Sequence, residues 1–194
     1  VNIMTEKIRS FIAIALPDFV KNHIQKIQDD IRPGGLKMRW VKPGNIHLTL
    51  KFLGDINIRD IDSISRAMEQ TAEKFAPLTL GAKGIGIFPN IKRPRVLWAG
   101  LNGETHSLIQ LQQTLEQNLL HLGFEKEKRG FKAHLTIARI KDRISSKKLI
   151  QVMEKYGNFE SETFTVKEII LYQSLLKPTG AVYTKLETIK LIKP

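Results

Sequence analysis

One short polar pattern occurs twice in this chain, and it constrains the fold more than any other feature. Residues 46–54 read IHLTLKFLG and residues 133–140 read AHLTIARI, so a histidine and a threonine two positions apart interrupt an apolar run in both places. Side chains alternate between the two faces of a β-strand. Each string therefore predicts a strand that buries its leucine and presents an imidazole and a hydroxyl on the opposite face. The recurrence indicates a duplicated unit.

The sequence around the two strings alternates between strand and helix patterns. Pro17 and Asp18 begin a helix that extends to about Ile31, and leucines spaced by three and four predict a long helix from Leu108 to Leu122. The segments LKMRWV and IHLTLKFL, separated by KPGN, predict a β-hairpin. The order of elements indicates an α+β fold. Because no linker divides the 194 residues, we expect residues 1–194 to form a single domain with one string in each half.

Charge and composition narrow the class of partner. The 31 Lys and Arg residues against 19 Asp and Glu residues give a formal charge of +12, which attracts polyanions such as nucleic acid or, alternatively, an anionic membrane surface. The absence of cysteine excludes disulfides and thiolate metal sites, and it suits a reducing cytoplasm. No apolar run approaches the roughly 20 residues that are needed to span a bilayer.

The paired strings point to acid–base chemistry on a phosphodiester. Two imidazoles that titrate near neutrality can act together, one taking a proton from water while the other protonates a leaving oxygen. The threonine hydroxyls can donate hydrogen bonds to phosphate oxygens. No Asp, Glu or Cys stands at a metal-ligand spacing beside either histidine, so we predict no metal and no other cofactor.

The directions of two basic side chains, those of Lys51 and Arg139, depend on whether the strands are regular. Lys51 shares the face of His47 by parity, and we therefore expect it to contact phosphate. Arg139 stands an odd number of residues after His134, so it would leave on the opposite face of a regular strand. A β-bulge or the end of the strand would be required to bring it in.

The chain resembles the two-histidine phosphoesterases, and among them the bacterial and archaeal RNA 2′,3′-cyclic phosphodiesterases, also called 2′-5′ RNA ligases. The segments WVKPGNIHLTLKFLGD and FKAHLTIAR are similar to the two motif blocks of the family, and the resemblance also covers RSFIAIALP, GIGIFPNIKRPRVLWAGL and LKPTGAVYTKL. The resemblance implies a bilobal, pseudo-symmetric α+β fold. Each lobe would have an antiparallel sheet with helices packed outside, and the lobes would face each other across a basic groove.

The resemblance also implies roles for particular residues. By match to the motifs, His47 and His134 would be the catalytic pair, with Thr49 and Thr136 as ligands of the phosphate oxygens. Arg139, three residues after the second threonine, matches a position that contacts phosphate.

Two further positions, Phe52 in the first motif block and Gln173 in YQSLL, bear on the same comparison. Phe52 matches a position expected to stack on the terminal base, whereas Gln173 departs from the glutamate expected before the serine in YQSLL. That departure touches neither histidine.

The implied reaction is metal-independent opening of a terminal RNA 2′,3′-cyclic phosphate by water, which leaves a 2′-phosphate. As a hypothesis, His47 protonates the departing 3′-oxygen and His134 activates the water; the reverse direction would be 2′-5′ ligation. We expect a monomeric cytoplasmic enzyme with RNA as its partner and no membrane contact. The alternative is a non-catalytic module that binds single-stranded RNA through basic and aromatic groups such as Trp40, Phe52 and Trp98. The paired histidines favour the enzyme.

Overall fold

The structure is a computed structural model that describes residues 6–192, so the two ends of the predicted domain, 1–5 and 193–194, lie outside the described residues. In that range the helices are α1 (Asp18–Ile31), α2 (Ile61–Ala72), α3 (Thr105–Leu120) and α4 (Ser146–Tyr156). The strands are β1 (Lys7–Ala15), β2 (Arg39–Trp40), β3 (His47–Asn57), β4 (Leu78–Phe88), β5 (Val96–Gly103), β6 (Leu135–Arg139), β7 (Phe164–Val166), β8 (Glu168–Lys177) and β9 (Gly180–Lys190). Within residues 6–192, no helix has both the length and the apolarity that crossing a membrane requires.

All nine of these strands belong to one antiparallel sheet, which confirms the predicted α+β class. The strand order is β7-β4-β5-β6-β3-β1-β8-β9, and the short strand β2 pairs with β6 beside that path. The two histidine strings lie on β3 and β6, at the centre of the order. These two strands meet at a single residue pair, Leu48 opposite Leu135, and both leucines are buried. The two groups of strands are therefore joined edge to edge along the strands that carry the histidines.

The two halves of the sheet are interleaved along the chain. One lobe consists of β1, β3, β8 and β9, and helices α2 and α3 pack on it, with the amide of Gln112 donating to the carbonyl of Leu50 at 3.3 Å. The other lobe consists of β4, β5, β6 and β7 and carries α1 and α4. There, the amide of Gln28 in α1 donates to the carbonyl of Ile137 at 3.0 Å. Each lobe holds one string, but neither lobe is a continuous half of the chain.

The helices α1 and α3 bury the apolar stripes that their sequences predict. In α1, which begins directly after Pro17, the residues spaced by three and four along one face are buried against the sheet: Val20, Ile24, Ile27 and Ile31. In α3 the buried stripe is Leu108, Leu111, Leu115 and Leu119. Leu122, which the pattern also placed in this helix, lies beyond its end and is exposed. Burial of such stripes is what stabilises amphipathic helices in a folded chain.

The predicted hairpin between LKMRWV and IHLTLKFL is wrong. Residues Pro43–Asn45 form a short 3₁₀ turn, and β2 pairs with β6 rather than with β3, with Arg39 opposite Arg139. The amide of Gln28 explains the difference, because it donates to the carbonyl of Val41 at 2.8 Å and to that of Ile137 at 3.0 Å. This side chain fastens the segment after β2 to β6, which the local pattern of turn residues does not reveal.

Candidate active site

The predicted alternation of faces is confirmed on both central strands. Leu48 and Leu135 point into the core, and the opposite face carries the four partly buried polar residues His47, Thr49, His134 and Thr136. Because Leu48 and Leu135 are antiparallel partners, extending the register by one residue sets His47 beside Thr136 and His134 beside Thr49. The two histidines are then diagonal neighbours, about 7–8 Å apart at the backbone. That spacing leaves room for a phosphate between the two imidazoles.

Both imidazoles are held in the same way. Nδ1 of His47 lies 2.8 Å from the carbonyl oxygen of Asn45, and Nδ1 of His134 lies 2.6 Å from the carbonyl oxygen of Lys132. A carbonyl oxygen can only accept, so Nδ1 is the protonated nitrogen and donates in each ring. The other nitrogen, Nε2, is therefore the one that can take up or release a proton in both residues.

Aromatic rings fix the orientation of both imidazoles. The ring of Phe11 on β1 stacks on His47 with 4.8 Å between centroids, and the ring of Tyr183 on β9 meets His47 edge-on at 5.3 Å. On the other lobe, Phe88 meets His134 edge-on at 5.0 Å. Each histidine is thus wedged between its backbone carbonyl and an aromatic wall.

The wall beside His134 depends on a glycine of the GIGIF segment. Trp98 on β5 lies opposite Thr136 and stacks on Phe88 with 4.8 Å between centroids. Its indole covers Gly86 so closely that a Cβ at that residue would lie 2.1 Å from Cζ2 of the ring. A larger residue at position 86 would therefore displace the indole.

The electrostatic setting of His47 favours its neutral form. Burial lowers the pKa of His47, and the positive charge of Arg139 lowers this pKa further, against the raising effect of the hydrogen bond to Asn45. Burial of a cation is unfavourable because the charge loses its hydration. In the unliganded protein, His47 is therefore neutral over a wider pH range than a free histidine.

A β-bulge interrupts both histidine strands at the same relative position. Against β1, Thr49 pairs with Ala13 and Lys51 pairs with Ile12, so Leu50 has no partner. Against β5, the same irregularity falls at Ile137. Each bulge lies three residues after a histidine and shifts the side chains that follow it to the opposite face, in β3 as far as a second irregularity at Leu53. The requirement for a bulge to bring Arg139 to the face of His134 is thereby met.

The bulge makes the predicted position of Lys51 wrong. Instead of pointing to the histidine face, Lys51 is buried under the sheet, where its ammonium donates to Oε1 of Glu116 at 2.8 Å and to the carbonyl of Glu125 at 2.6 Å. A buried lysine that is fully engaged in this way has no reach to a phosphate. It belongs to the packing of α3 on the sheet.

The same shift turns Phe52 and Arg139 toward the histidines. Phe52 lies 6.2 Å from the ring of Phe11, which stacks on His47, and the side chain is 57% exposed. Arg139 is exposed, and its charge acts on both His47 and Tyr183. Both residues stand five positions after their histidine, one at each end of the site.

The threonine hydroxyls of the site are available to a ligand. Within residues 6–192, neither threonine hydroxyl of the two strings is hydrogen-bonded to another protein group, and no three His, Cys, Asp or Glu side chains cluster as a metal-binding set.

Of the three aromatic residues that could stack on RNA, Trp40 lies on the opposite face, under the guanidinium of Arg32 at 5.5 Å. Trp98 is half-buried in its wall, which leaves Phe52 as the exposed ring.

Sequence reasoning missed the residues that orient the imidazoles. Phe11, Phe88 and Tyr183 come from three strands that lie far apart in sequence, and the carbonyls of Asn45 and Lys132 carry no sequence signal at all. The recurring distance of two residues between each histidine and its carbonyl partner follows from the duplicated string, but only the structure reveals it.

Sequence comparison finds a protein family whose model matches both halves of the chain. The family model of LigT-like phosphoesterases matches residues 14–98 and again residues 101–183, with one histidine string in each match. An RNA 2′,3′-cyclic phosphodiesterase of Methanothermobacter thermautotrophicus is 33% identical over 186 residues, which cover 95% of this chain and 100% of the relative. The enzyme of the same name from Methanocaldococcus jannaschii is 34% identical over 178 residues, covering 90% of this chain and 96% of the relative.

Solved structures show the same fold. The crystal structure of Escherichia coli LigT complexed with 3′-AMP superposes with a TM-score of 0.76 at 25% identity, and the match covers 97% of this chain and 100% of that chain. A protein of Thermus thermophilus superposes with a TM-score of 0.78 at 28% identity, covering 94% of this chain and 97% of that chain. Since the family model matches both segments and relatives above 30% identity span nearly the whole length, this protein belongs to the LigT-like phosphoesterases.

Proposed function

We propose that this protein hydrolyses terminal 2′,3′-cyclic phosphates of RNA to 2′-phosphates, with its two histidines as general acid and general base and without a metal ion. The observation that carries the proposal is the matched environment of His47 and His134. Both direct Nδ1–H at a backbone carbonyl two residues earlier, which leaves Nε2 as the nitrogen that can exchange a proton in each ring. The names of relatives such as the Methanothermobacter enzyme support the choice of substrate.

The proposed reaction is an in-line displacement at phosphorus. Nε2 of His134 takes a proton from water, the water oxygen forms a bond to phosphorus, and the bond between phosphorus and the 3′-oxygen breaks. Nε2 of His47 gives its proton to the departing 3′-oxygen, so the products are a 2′-phosphate and a 3′-hydroxyl. Before the next turnover His134 releases its extra proton to solvent and His47 takes one up from solvent. Acid–base assistance of this kind contributes about 10²- to 10⁴-fold to a rate.

The negative charge of the substrate favours the protonated form that His47 needs as an acid. In the unliganded protein, burial and Arg139 keep the pKa of His47 low. A bound phosphate brings negative charge beside the imidazole and offsets the field of Arg139, so binding raises the pKa of His47 and favours its protonated, acidic form. The hydroxyls of Thr49 and Thr136 donate to the non-bridging oxygens as charge builds in the transition state.

The base of the terminal nucleotide is assigned to Phe52. This ring is exposed at one end of the site and stands beside Phe11, which stacks on His47. Stacking on an aromatic ring tolerates any base, because every base has a π-face. The site would therefore select the cyclic phosphate and not the base.

The direct experiment is incubation of an oligoribonucleotide that ends in a 2′,3′-cyclic phosphate with the protein and excess EDTA, followed by ³¹P NMR of the product. We expect complete conversion to the 2′-phosphate. A 3′-phosphate product, no consumption, or activity that EDTA removes and zinc restores would contradict the proposal. No consumption together with tight RNA binding would favour the non-catalytic module.

A further inference from the structure

Two arginines lie side by side on neighbouring strands at the His47 end of the site. Arg39 on β2 and Arg139 on β6 are antiparallel partners, as are the next residues, Trp40 and Ala138. Directly opposite residues point to the same face, with Cβ atoms about 4.5–5.5 Å apart. Ala138 is fully buried and Trp40 lies under Arg32 on the helix side. Arg39 therefore shares the groove face with Arg139.

This pairing is unfavourable in the protein alone. Like charges directly opposite on neighbouring strands destabilise a sheet. In the described part of the chain, five ion pairs are present, and neither Arg39 nor Arg139 takes part in them, although both side chains are exposed. An anion that accepts from both guanidinium groups would remove the repulsion. Phosphate is well suited, because its oxygens accept two parallel hydrogen bonds from an arginine.

The position of the pair separates it from the phosphate between the histidines. Strand β6 pairs with β3 at Leu135, opposite Leu48. Further along β6 toward its C-terminal end, β2 pairs on the same side, at Ala138 and Arg139. Allowing for the bulge at Ile137, the arginine pair is two strand positions beyond Thr136, which is roughly 7 Å. Arg139 can reach toward the phosphate between the histidines or toward a second phosphate further along β6. Arg39 lies further along β6 than the histidines, so it is specific to the second phosphate.

We propose that Arg39 and Arg139 form a second phosphate site, which holds an internal phosphodiester of single-stranded RNA while the terminal cyclic phosphate lies between the histidines. This inference rests on the proposed function and names its substrate class. The preferred substrate is an RNA strand with at least one internal phosphodiester, and a nucleoside 2′,3′-cyclic monophosphate leaves the second site empty.

The test compares two substrates and two variants. The substrates are adenosine 2′,3′-cyclic monophosphate and a short oligoribonucleotide that ends in the same cyclic nucleotide. The variants are Arg39→Gln and, as a control, Arg95→Gln. Arg95 is also exposed, but it immediately precedes Val96, the partner of Arg139, and so points away from the groove face, toward the carbonyl of Lys141 at 3.5 Å. Both changes remove one positive charge from neighbouring parts of the surface.

For the oligonucleotide, Arg39→Gln should lower kcat/KM about tenfold, the loss of about 1.4 kcal/mol expected for one charged contact. For the mononucleotide, kcat/KM should stay within about twofold, because no second phosphate is present. The salt dependence of oligonucleotide binding should also become shallower by about 0.7 in log–log slope. Arg95→Gln should leave kcat/KM unchanged for both substrates.

Two outcomes overturn the inference: an unchanged kcat/KM for the oligonucleotide in Arg39→Gln, or an equal loss on both substrates. If the wild-type protein consumes neither cyclic substrate, the proposed function fails, and binding then tests the second site alone. In that case the affinity for an oligoribonucleotide with a 3′-hydroxyl is measured by fluorescence anisotropy. Weaker binding by Arg39→Gln than by Arg95→Gln supports the second site, and equal binding overturns it.

Discussion

At the scale of single residues, the most informative group is His47, whose ionisation can be followed directly in the unliganded protein. Burial and the charge of Arg139 lower the pKa of His47. We expect an NMR titration of the unliganded protein to give a pKa below 6.5 for this imidazole, and Arg139→Gln to raise it. The neutral form therefore persists to lower pH than in a free histidine and is lost as pH falls through the lowered value.

The same shift should appear in the kinetics, because kcat/KM reports the groups of the free enzyme. One limb of its pH profile should lie below pH 6.5 and move upward in Arg139→Gln. Arg95→Gln, which removes a charge from the opposite face, should leave the titration of His47 unchanged. A pKa for His47 at or above 6.5, or one that ignores Arg139, would contradict this account of the site.

Phe52 offers a second test at this scale. Its ring is 57% exposed, so Phe52→Ala should change the free energy of unfolding little. Loss of one stacked base costs about 1–3 kcal/mol, so KM for a cyclic-phosphate oligonucleotide should rise roughly 5- to 150-fold with kcat nearly unchanged. Phe19→Ala removes a ring of similar exposure from α1 and serves as the control. Equal KM values in the two variants would remove Phe52 from the substrate site.

At the scale of elements, the two β-bulges decide which side chains reach the site. Sequence parity was sufficient for His47 and Thr49, which precede the first bulge, and it failed for Lys51, which follows it. For Arg139 the need for a bulge could be stated from the sequence, but its existence could not. A bulge depends on pairing with β1 or β5, and these partners are fixed by the tertiary fold and not by local residue pattern.

The bulge in β3 is accompanied by a buried ion pair. Lys51 and Glu116 lie 2.8 Å apart, with side chains only 3% and 13% exposed. Removing one member of a buried pair leaves the other charge without compensation, at a cost of about 3–5 kcal/mol. Lys51→Met should therefore lower the free energy of unfolding by that amount in urea denaturation, without touching a substrate contact.

Two matched variants sharpen the result for Lys51. Lys21→Met breaks an ion pair to Asp18, whose carboxylate is 90% exposed, and should cost less than about 1 kcal/mol. The double variant Lys51→Met with Glu116→Met removes both buried charges and should recover most of the lost stability. If Lys51→Met were as stable as the wild type, the ion pair would not be what holds this part of β3 under α3.

At the scale of the whole molecule, the interleaved lobes separate what could be predicted from what could not. The α+β class, the long leucine helix and the two matched strands follow from periodicity and from the repeated string. The mistaken hairpin shows the limit, because β2 crosses to the other lobe and pairs with β6. The aromatic residues around the imidazoles were beyond reach for the same reason, since β1, β4 and β9 meet the histidines only in the folded chain.

The interleaving predicts that half of the chain does not fold alone. The residues 1–100 contain both β1 and β3 of one lobe, but β8, which pairs with β1, and α3, which packs on α2, come from the second half. A fragment of residues 1–100 should show no cooperative thermal transition by circular dichroism, whereas the full chain should. A cooperative transition in the fragment would mean that the first string folds independently.

The central claim is that His47 and His134 form one acid–base pair, and the rate of cyclic-phosphate opening in His47→Ala and His134→Ala tests it most directly. Each variant should lose about 10²- to 10⁴-fold in EDTA on an ordinary substrate. With sulfur in place of the 3′-bridging oxygen, the leaving group is a thiolate of low pKa that needs no acid, so His47→Ala should recover most of its rate and His134→Ala should not. A wild-type rate in either variant on the ordinary substrate would contradict the paired mechanism.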